Sequence, residues 1–311
     1  MFSQAPREKD RPRPATLRGS AFSAFRKSFI KNPQRTREKD FPNLPKKRRW
    51  VLGAAISLAL RECVLRDHSG TTKEIKAMQA QTTAQFSNSI MQGDCIQVMH
   101  GMPANSVDFI LTDPPYLVNY RDRDGRTIQN DVNADWLKPA MREAYRVLKQ
   151  DRVAIMFYGW TKIDAFFDAW KAAGFQPIGH LVFRKTYSSK SRFLRYHHEQ
   201  AYLLAKGRPP LPKRPLADVV DMPYSGNKLH PTQKPVAALA PLVRSFTLPG
   251  DLVLDPFTGS GSTCAASLLT GRRYLGIELD AEFHEAASRR LDRVKERVAK
   301  RSSPVLIPTL R

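Results

Sequence analysis

The stretch Val107-Asp108-Phe109-Ile110-Leu111-Thr112 is a short, nearly continuous apolar run that two consecutive prolines, Pro114 and Pro115, bring to an end. Such a run reads as a strand buried on both faces, the habit of parallel sheets. Neither proline can donate to a ladder, so the strand stops there. Asp113-Pro114-Pro115-Tyr116 therefore sits just past a strand's carboxyl end, where open α/β sheets bind their ligands. An acid, a stiffened backbone and an aromatic ring suit a planar substrate carrying an exocyclic amine. Asp113 and a backbone carbonyl can accept the amine hydrogens, and Tyr116 can stack on the ring. Taken alone, the four residues fit an ordinary turn equally well.

The sequence on either side repeats the pattern. Ser89 to Gln92 reads as a strand ending in Gly93-Asp94, and Ile96 to His100 as a short helix. Asp135 is placed to cap a helix reaching about Leu148, with Leu137, Met141, Ala144, Tyr145 and Leu148 on one face. Val153 to Phe157 is another buried strand, and a helix from Thr161 ends near Gly174. Strand-like runs follow at Ile178 to Phe183 and Ala201 to Leu204, and residues 206–230 look Pro-rich and irregular. A helix to about Phe246, a strand at Asp251 to Leu254, a small-residue helix, a strand at Tyr274 to Ile277 and a last long helix complete the chain. Alternating strands and helices imply an α/β fold with a parallel sheet covered on both sides.

Charge narrows the partner. The chain of 311 residues carries 51 Lys plus Arg against 29 Asp plus Glu, a net charge of +22, and a positive field of that size favours nucleic acid. Residues 1–77 hold 19 of the basic and 7 of the acidic residues. Residues 1–49, rich in Pro, Arg and Lys and without periodicity, read as disordered. Met78 offers an alternative start just before the patterned sequence, so residues 1–77 are expected to be a dispensable basic extension, and residues 78–311 the functional domain. The apolar run Trp50 to Leu60 is shorter than the roughly 20 residues a membrane span needs. Three scattered cysteines, Cys63, Cys95 and Cys264, show no disulfide framework and no metal-ligand spacing, which fits a reducing cytoplasm. Between Arg184 and His198, Arg184, Lys185, Lys190, Arg192 and Arg195 interleave with Tyr187, Phe193 and Tyr196. That mixture suits phosphate contacts with base stacking, or a solvated hairpin. Arg121, Arg123 and Arg126 stud the polar loop that follows Tyr116.

Asp255-Pro256-Phe257-Thr258-Gly259-Ser260-Gly261-Ser262-Thr263 joins a strand to a helix, and the next strand ends in Glu278, 17 residues beyond Gly261. A strand, a glycine-rich turn, a helix and a terminal acid make a nucleoside-binding unit, with the glycines letting backbone approach ligand. A phosphate loop needs Gly-Lys-Ser/Thr, whereas Ser262 follows Gly261. A dinucleotide fingerprint wants Gly or Ala where Cys264 stands. S-adenosylmethionine, a nucleoside without phosphates, needs no lysine in the loop. Asp255 suits its cationic amino group, Phe257 and the glycines can line the rest, and Glu278 can accept both ribose hydroxyls.

With His230-Pro231-Thr232-Gln233-Lys234-Pro235 between them, the tetrapeptide and the glycine loop occur in the order of a known group. The chain resembles the β-group of S-adenosylmethionine-dependent amino-DNA methyltransferases, the N-4/N-6 DNA methylase family, from about Ser89 to about Lys300. The resemblance implies a Rossmann-like, seven-stranded, mostly parallel sheet with helices on both faces and a permuted chain order. It assigns Asp255, Phe257, Gly259, Gly261 and Thr263 to the cofactor loop, Glu278 to the ribose and Asp94 to the cofactor adenine. His230, Thr232 and Lys234 fall at its methionine end, and Asp113, Pro114, Pro115 and Tyr116 at the target base. Only about 45 residues separate Arg184 from His230, so the target-recognition insertion around 184–230 is small and a short or relaxed recognition sequence is expected. Within this group an opening Asp is usual for adenine N6, and Ser is commoner for cytosine N4. The expected activity is adenine-N6 methylation of DNA. Cytosine-N4 methylation, or a catalytically inactive DNA-binding regulator, are the alternatives. No metal is expected. A homodimer remains open, and any restriction endonuclease would be a separate chain.

Overall fold

The computed structural model describes residues 86–121, 125, 127–188, 193–226, 229–230 and 232–302. The expected extension 1–77 and the expected DNA contacts Arg123, Lys190 and Arg192 lie outside the described residues, as do Arg126 and Pro231.

The strands are β1 (Ser89–Gln92), β2 (Phe109–Thr112), β3 (Arg152–Phe157), β4 (Gln176–Lys185), β5 (His198–Lys206), β6 (Val219–Met222), β7 (Leu252–Asp255) and β8 (Arg273–Glu278). The helices are α1 (Cys95–His100), α2 (Leu137–Val147), α3 (Ile163–Ala173), α4 (Val236–Phe246), α5 (Ser262–Leu269) and α6 (Ala281–Ser302). One sheet holds the strands in the order β1-β8-β7-β2-β3-β5-β4-β6. Every pairing is parallel except those that β5 makes with β3 and β4.

The sheet therefore has eight strands among the described residues rather than the expected seven. The additional strand is β6, which adds in parallel to β4 from within the stretch read as irregular. Its residues Val219 and Asp221 are exposed, so an edge strand of four residues leaves little hydrophobic pattern to read. Asp135 does not cap α2 either: the helix begins at Leu137 without a side-chain cap.

Alternation along the strands explains the two layers. Ile110, Ala154, Met156, Leu252 and Leu254 face α1, α2 and α3, packing on Met99, Met141, Phe166 and Trp170. Phe109, Leu111, Val153, Ile155, Phe157 and Val253 face the other way, onto Ala238, Leu239, Leu242 and Val243 of α4 and Ala266 of α5. Period-two side chains with both faces covered are what a run such as Phe109 to Thr112, buried at all four positions, requires. Leu291 of α6 closes over Cys264, Ala265 and Tyr274.

The order of strands has one functional effect. β2 and β7, far apart in sequence, are neighbours, with Phe109 opposite Val253 and Ile110 opposite Leu254. Their carboxyl ends open side by side, with β1 and β8 ending along the same edge. Because β5 runs the other way, its amino-terminal end reaches that edge too, next to Phe157 at the end of β3.

Candidate active site

A single cleft runs along this edge, lined among others by Asp94, Asp113 to Tyr116, His230, Thr232, Lys234, Asp255, Phe257, Gly259, Thr263 and Glu278. The expected cofactor and target-base residues thus converge on one cleft, with Gly261 the exception. Gly261 adopts φ of +76°, and a Cβ there would stand 2.8 Å from Leu291 Cδ2 and 3.3 Å from Ala287 Cβ. Its missing side chain makes room for the approach of α6, while its neighbours Ser260 and Ser262 line the cleft. The loop is held from α6 by Arg290, whose guanidinium donates to the Ser260 carbonyl at 2.8 Å and to the Ser262 hydroxyl at 3.0 Å.

Asp255 ends β7 and is 3% exposed. Its Oδ1 accepts from Thr112 Oγ1 at 2.7 Å and from the Phe257 backbone N–H at 3.2 Å. Burial nevertheless pushes its carboxyl up to about 7, against the pull of these donors and of the Thr263 hydroxyl. No cationic side chain is paired with it among the described residues. Glu278, at the end of β8, accepts the Gly259 N–H at 2.7 Å and the Asp280 N–H at 2.9 Å, one on each oxygen. Burial, ahead of these donors, raises its pKa. Each oxygen keeps a lone pair for a further donor. Asp94 caps α1 through Oδ1, accepting the Ile96 N–H at 2.7 Å. The His230 ring packs edge-on against Phe283, with centroids 4.4 Å apart, and its Nδ1 accepts the Thr232 N–H at 3.3 Å. Gln233 Oε1 is buried with no donor among the described residues.

At the other end of the cleft, Tyr116 Oη donates to Asp113 Oδ1 at 2.7 Å. Burial and the adjacent carboxylate hold the phenol well above its usual pKa, so it stays a donor. Lys234, expected at the methionine end of a cofactor, is turned onto the tetrapeptide. Its ammonium donates to Asp113 Oδ2, stands 3.0 Å from Glu199 Oε2, and lies over the rings of Phe157 and Tyr116. Burial favours neutral lysine, but the two carboxylates overcome it and hold the ammonium above its usual pKa. Burial likewise raises Asp113, and Lys234 offsets only part of that rise.

Several participants carry no signal in the sequence. Glu199 enters from the amino-terminal end of β5. Asp131, 1% exposed, accepts the Tyr120 N–H at 2.6 Å and the Val118 N–H at 3.3 Å, pinning the loop after Tyr116. That loop holds Leu117 and Asn119 at positive φ, a conformation costly for leucine and sustained only by such fixed surroundings. Gly159, just past β3, lies so close to Tyr116 that a Cβ would stand 2.8 Å from Tyr116 Cβ and 2.9 Å from its carbonyl oxygen. Trp136 packs edge-on against Phe257, with centroids 5.0 Å apart.

The basic hairpin divides. Lys185 is buried, with its Nζ 3.6 Å from Glu199, so it supports the cleft from behind and is not available to a phosphate. Arg184 is exposed and already paired with Asp221 at 2.7 Å. Arg121 and Arg195 are exposed, and the Tyr196 ring lies tilted by 32° against the exposed Trp160, with centroids 5.9 Å apart. Neither described thiol is activated: burial pushes Cys95 up to about 12 and Cys264 higher still. No group of His, Cys, Asp or Glu among the described residues could hold a metal ion, and no described helix is long and apolar enough to cross a membrane.

Fold and cleft together define a Rossmann-like α/β protein whose tetrapeptide and glycine loop open onto one cleft at the carboxyl ends of the parallel strands. Residues 107–228 and 213–289 match the N6/N4 methylase family model, described as DNA methylase, and the chain belongs to that family. Over 205 residues it is 59% identical to "Putative methylase YubD" of Escherichia coli K12, spanning 66% of this chain and 90% of that protein. It is 29% identical over 245 residues to the DNA adenine methyltransferase YhdJ of the same organism, spanning 66% and 83%. Among solved structures it resembles TTHA0409, a "Putative DNA Modification Methylase" of Thermus thermophilus complexed with S-adenosyl-L-methionine. The TM-score is 0.52 at 22% identity, covering 66% of this chain and 95% of that one. The cytosine-N4-specific PvuII DNA methyltransferase has a TM-score of 0.54 at 16% identity, covering 68% and 92%. These last two likenesses establish the fold.

Proposed function

We propose that this protein transfers a methyl group from S-adenosylmethionine to the N6 amine of adenine in DNA. The observation that carries the proposal is the meeting of two carboxylates, the half-buried Asp113 and the buried Asp255, at adjacent strand ends of one cleft.

The cleft suits the methyl donor on its own chemistry. Among the described residues Asp255 is a buried acid without a paired cation, and Gln233 Oε1 a buried acceptor without a donor. Asp255 would take the amino group of the methionine part, and Glu278 the ribose hydroxyls. Asp94 would take the adenine edge, with Phe257, Gly259 and Thr263 along the body and His230 and Thr232 at the methionine end. S-adenosylmethionine supplies an electrophilic methyl group on a sulfonium.

The remaining work falls to the chain's own residues. An exocyclic amine is a poor nucleophile because its lone pair is delocalised into the ring. Asp113 and the Pro114 carbonyl would accept its two N–H groups, drawing the nitrogen toward a tetrahedral geometry with its lone pair free. Hydrogen bonds to charged groups contribute about 1.5–3 kcal/mol each, and only the part that grows toward the transition state speeds the reaction. The amine proton lost after transfer goes to Asp113, whose raised pKa makes it a better base. Extruding the base from a duplex costs a few kcal/mol, of which stacking on Tyr116 returns about 1–3 kcal/mol. Arg121, Arg195 and Tyr196, with Arg184 once freed from Asp221, would meet the DNA.

Asp at the head of the tetrapeptide, together with the 29% identity to a DNA adenine methyltransferase, supports adenine over cytosine. The test is incubation of single- and double-stranded DNA with methyl-labelled S-adenosylmethionine, followed by nucleoside mass spectrometry. N6-methyladenine is the expected product; labelled N4-methylcytosine would reassign the base, and no labelled nucleoside would refute the proposal.

A further inference from the structure

The geometry points to Lys234 and Glu199 as a pair of positioning residues that sets the charge and direction of Asp113, with Lys234 serving the target-base clamp and not the methyl donor. The inference rests on the methyl-transfer reading and adds to it a control of the clamp from the strand that borders the DNA-facing hairpin.

Lys234 is 6% exposed, and its ammonium joins two carboxylates from different elements. Asp113 comes from the turn after β2, and Glu199 from the amino-terminal end of β5. The aromatic faces of Phe157 and Tyr116 lie 4.9 and 5.6 Å from the same nitrogen and leave it little room to swing away. Glu199 is in turn braced by Lys185 of β4 at 3.6 Å. Asp113 thus faces Lys234, Glu199, its own Tyr116 and, across β2 and β7, Asp255; Lys185 and Tyr187 face Glu199 from behind.

Asp113 Oδ1 is fixed by Tyr116 and Oδ2 by Lys234, so the carboxylate plane is set before any base arrives. The two outer partners also act on Asp113 with opposite sign. Lys234 favours its ionised form, whereas Glu199 disfavours it. Lys234 itself keeps its proton, so it is a fixed charge, and the proton released by the amine leaves Asp113 by another route.

Opposite signs make the test specific. On folded full-length protein, verified by circular dichroism, Lys234→Met is expected to lower kcat near neutral pH by about 10- to 100-fold, with the Kd for S-adenosylmethionine within about twofold of the parent. The acidic limb of its kcat–pH profile should move to higher pH. Glu199→Gln should move that limb to lower pH. Lys234→Met/Glu199→Gln should recover part of what Lys234→Met loses, because it no longer leaves Glu199 unpaired beside Asp113. If Lys234→Met weakens S-adenosylmethionine binding in proportion to its loss of rate, the lysine belongs to the donor site and the inference falls. It falls too if both single variants move the limb in the same direction. Titration of the Asp113 carboxyl carbon by NMR, assigned with Asp113→Asn, requires no turnover. Should the parent methylate no DNA, the functional reading fails separately, and an Asp113 titration unchanged across all three variants would still overturn the inference.

Discussion

Thr112 Oγ1 donates a 2.7 Å hydrogen bond to Asp255 Oδ1, tying the last residue of β2 to the last residue of β7 across 143 positions of sequence. The residue before the proposed target-base clamp therefore touches the acid proposed to hold the methyl donor. Because burial pushes Asp255 up to about 7 from 3.8, the ligand-free protein holds a proton that the unfolded chain releases near pH 4. Its stability from this group falls as pH rises between those values and levels off above the higher one. A cationic amino group beside Asp255 favours the charged form, so binding of S-adenosylmethionine at about pH 6 should release up to one proton. Calorimetry in buffers of different ionisation heat measures this, and buffer-independent heats would remove Asp255 from the amino group. Thr112→Val should raise Asp255 further and weaken binding near pH 7 by about tenfold, with less effect at about pH 9.

Asp113→Asn keeps the size of the side chain and removes the charge that accepts from the amine. Methyl transfer should fall by about 100-fold or more, while S-adenosylmethionine affinity stays near that of the parent. Single-turnover methylation and a binding isotherm on the same preparation read both quantities. Full activity in this variant would remove Asp113 from the clamp.

Gly159 has an ordinary backbone conformation, so its requirement is space alone: a Cβ there would meet the Tyr116 main chain and side chain below 3 Å. Backbone atoms cannot step aside cheaply. Gly159→Ala should lower the melting temperature modestly and kcat strongly, through displacement of Tyr116. The measurement is the pair of values together; a loss of stability with kcat unchanged would show that Tyr116 tolerates movement.

Salt separates the basic residues. Arg121 and Arg195 are exposed, and Lys185 is buried against Glu199. Replacing either arginine by Ala should reduce the slope of log K against log salt by about 0.9 on duplex DNA. Lys185→Ala should leave that slope alone and act on catalysis instead. Filter-binding or anisotropy titrations over a range of salt distinguish the two behaviours, and a slope lowered by Lys185→Ala would place that residue on the DNA.

The central sheet was readable because burial on both faces leaves no polar residue to break a run, as in Phe109 to Leu111 and Leu252 to Leu254. The glycine loop and the tetrapeptide were readable because each is contiguous. What escaped depends on long-range placement. Glu199 belongs to the cleft only because β5 runs antiparallel, a direction that a strand's own residues do not encode. Asp131 looks like any loop acid until its carboxylate is seen under Val118 and Tyr120. Lys234 lies in a motif shared with His230 and Thr232, but its long side chain turns toward Asp113. Gly261 belongs to the glycine loop in sequence and to the α5–α6 contact in space. Lys185 joined a basic run in sequence, but on β4 it is buried where its neighbour Arg184 is exposed.

The pairing of β1 with β8 gives the polypeptide a timetable. β1 is at the sheet's edge and pairs only with β8, the last of the described strands to leave the ribosome. β2, β3, β5, β4 and β6 are contiguous in the sheet and all precede β7 in the chain, so they can pair without it. Late, long-range pairings are the slow part of assembling such a sheet. Chain order thus allows the segment bearing Asp113 and Tyr116 to pair with β3 before Asp255 and Glu278 are made, and leaves the end of the cleft bearing those two acids to be completed last.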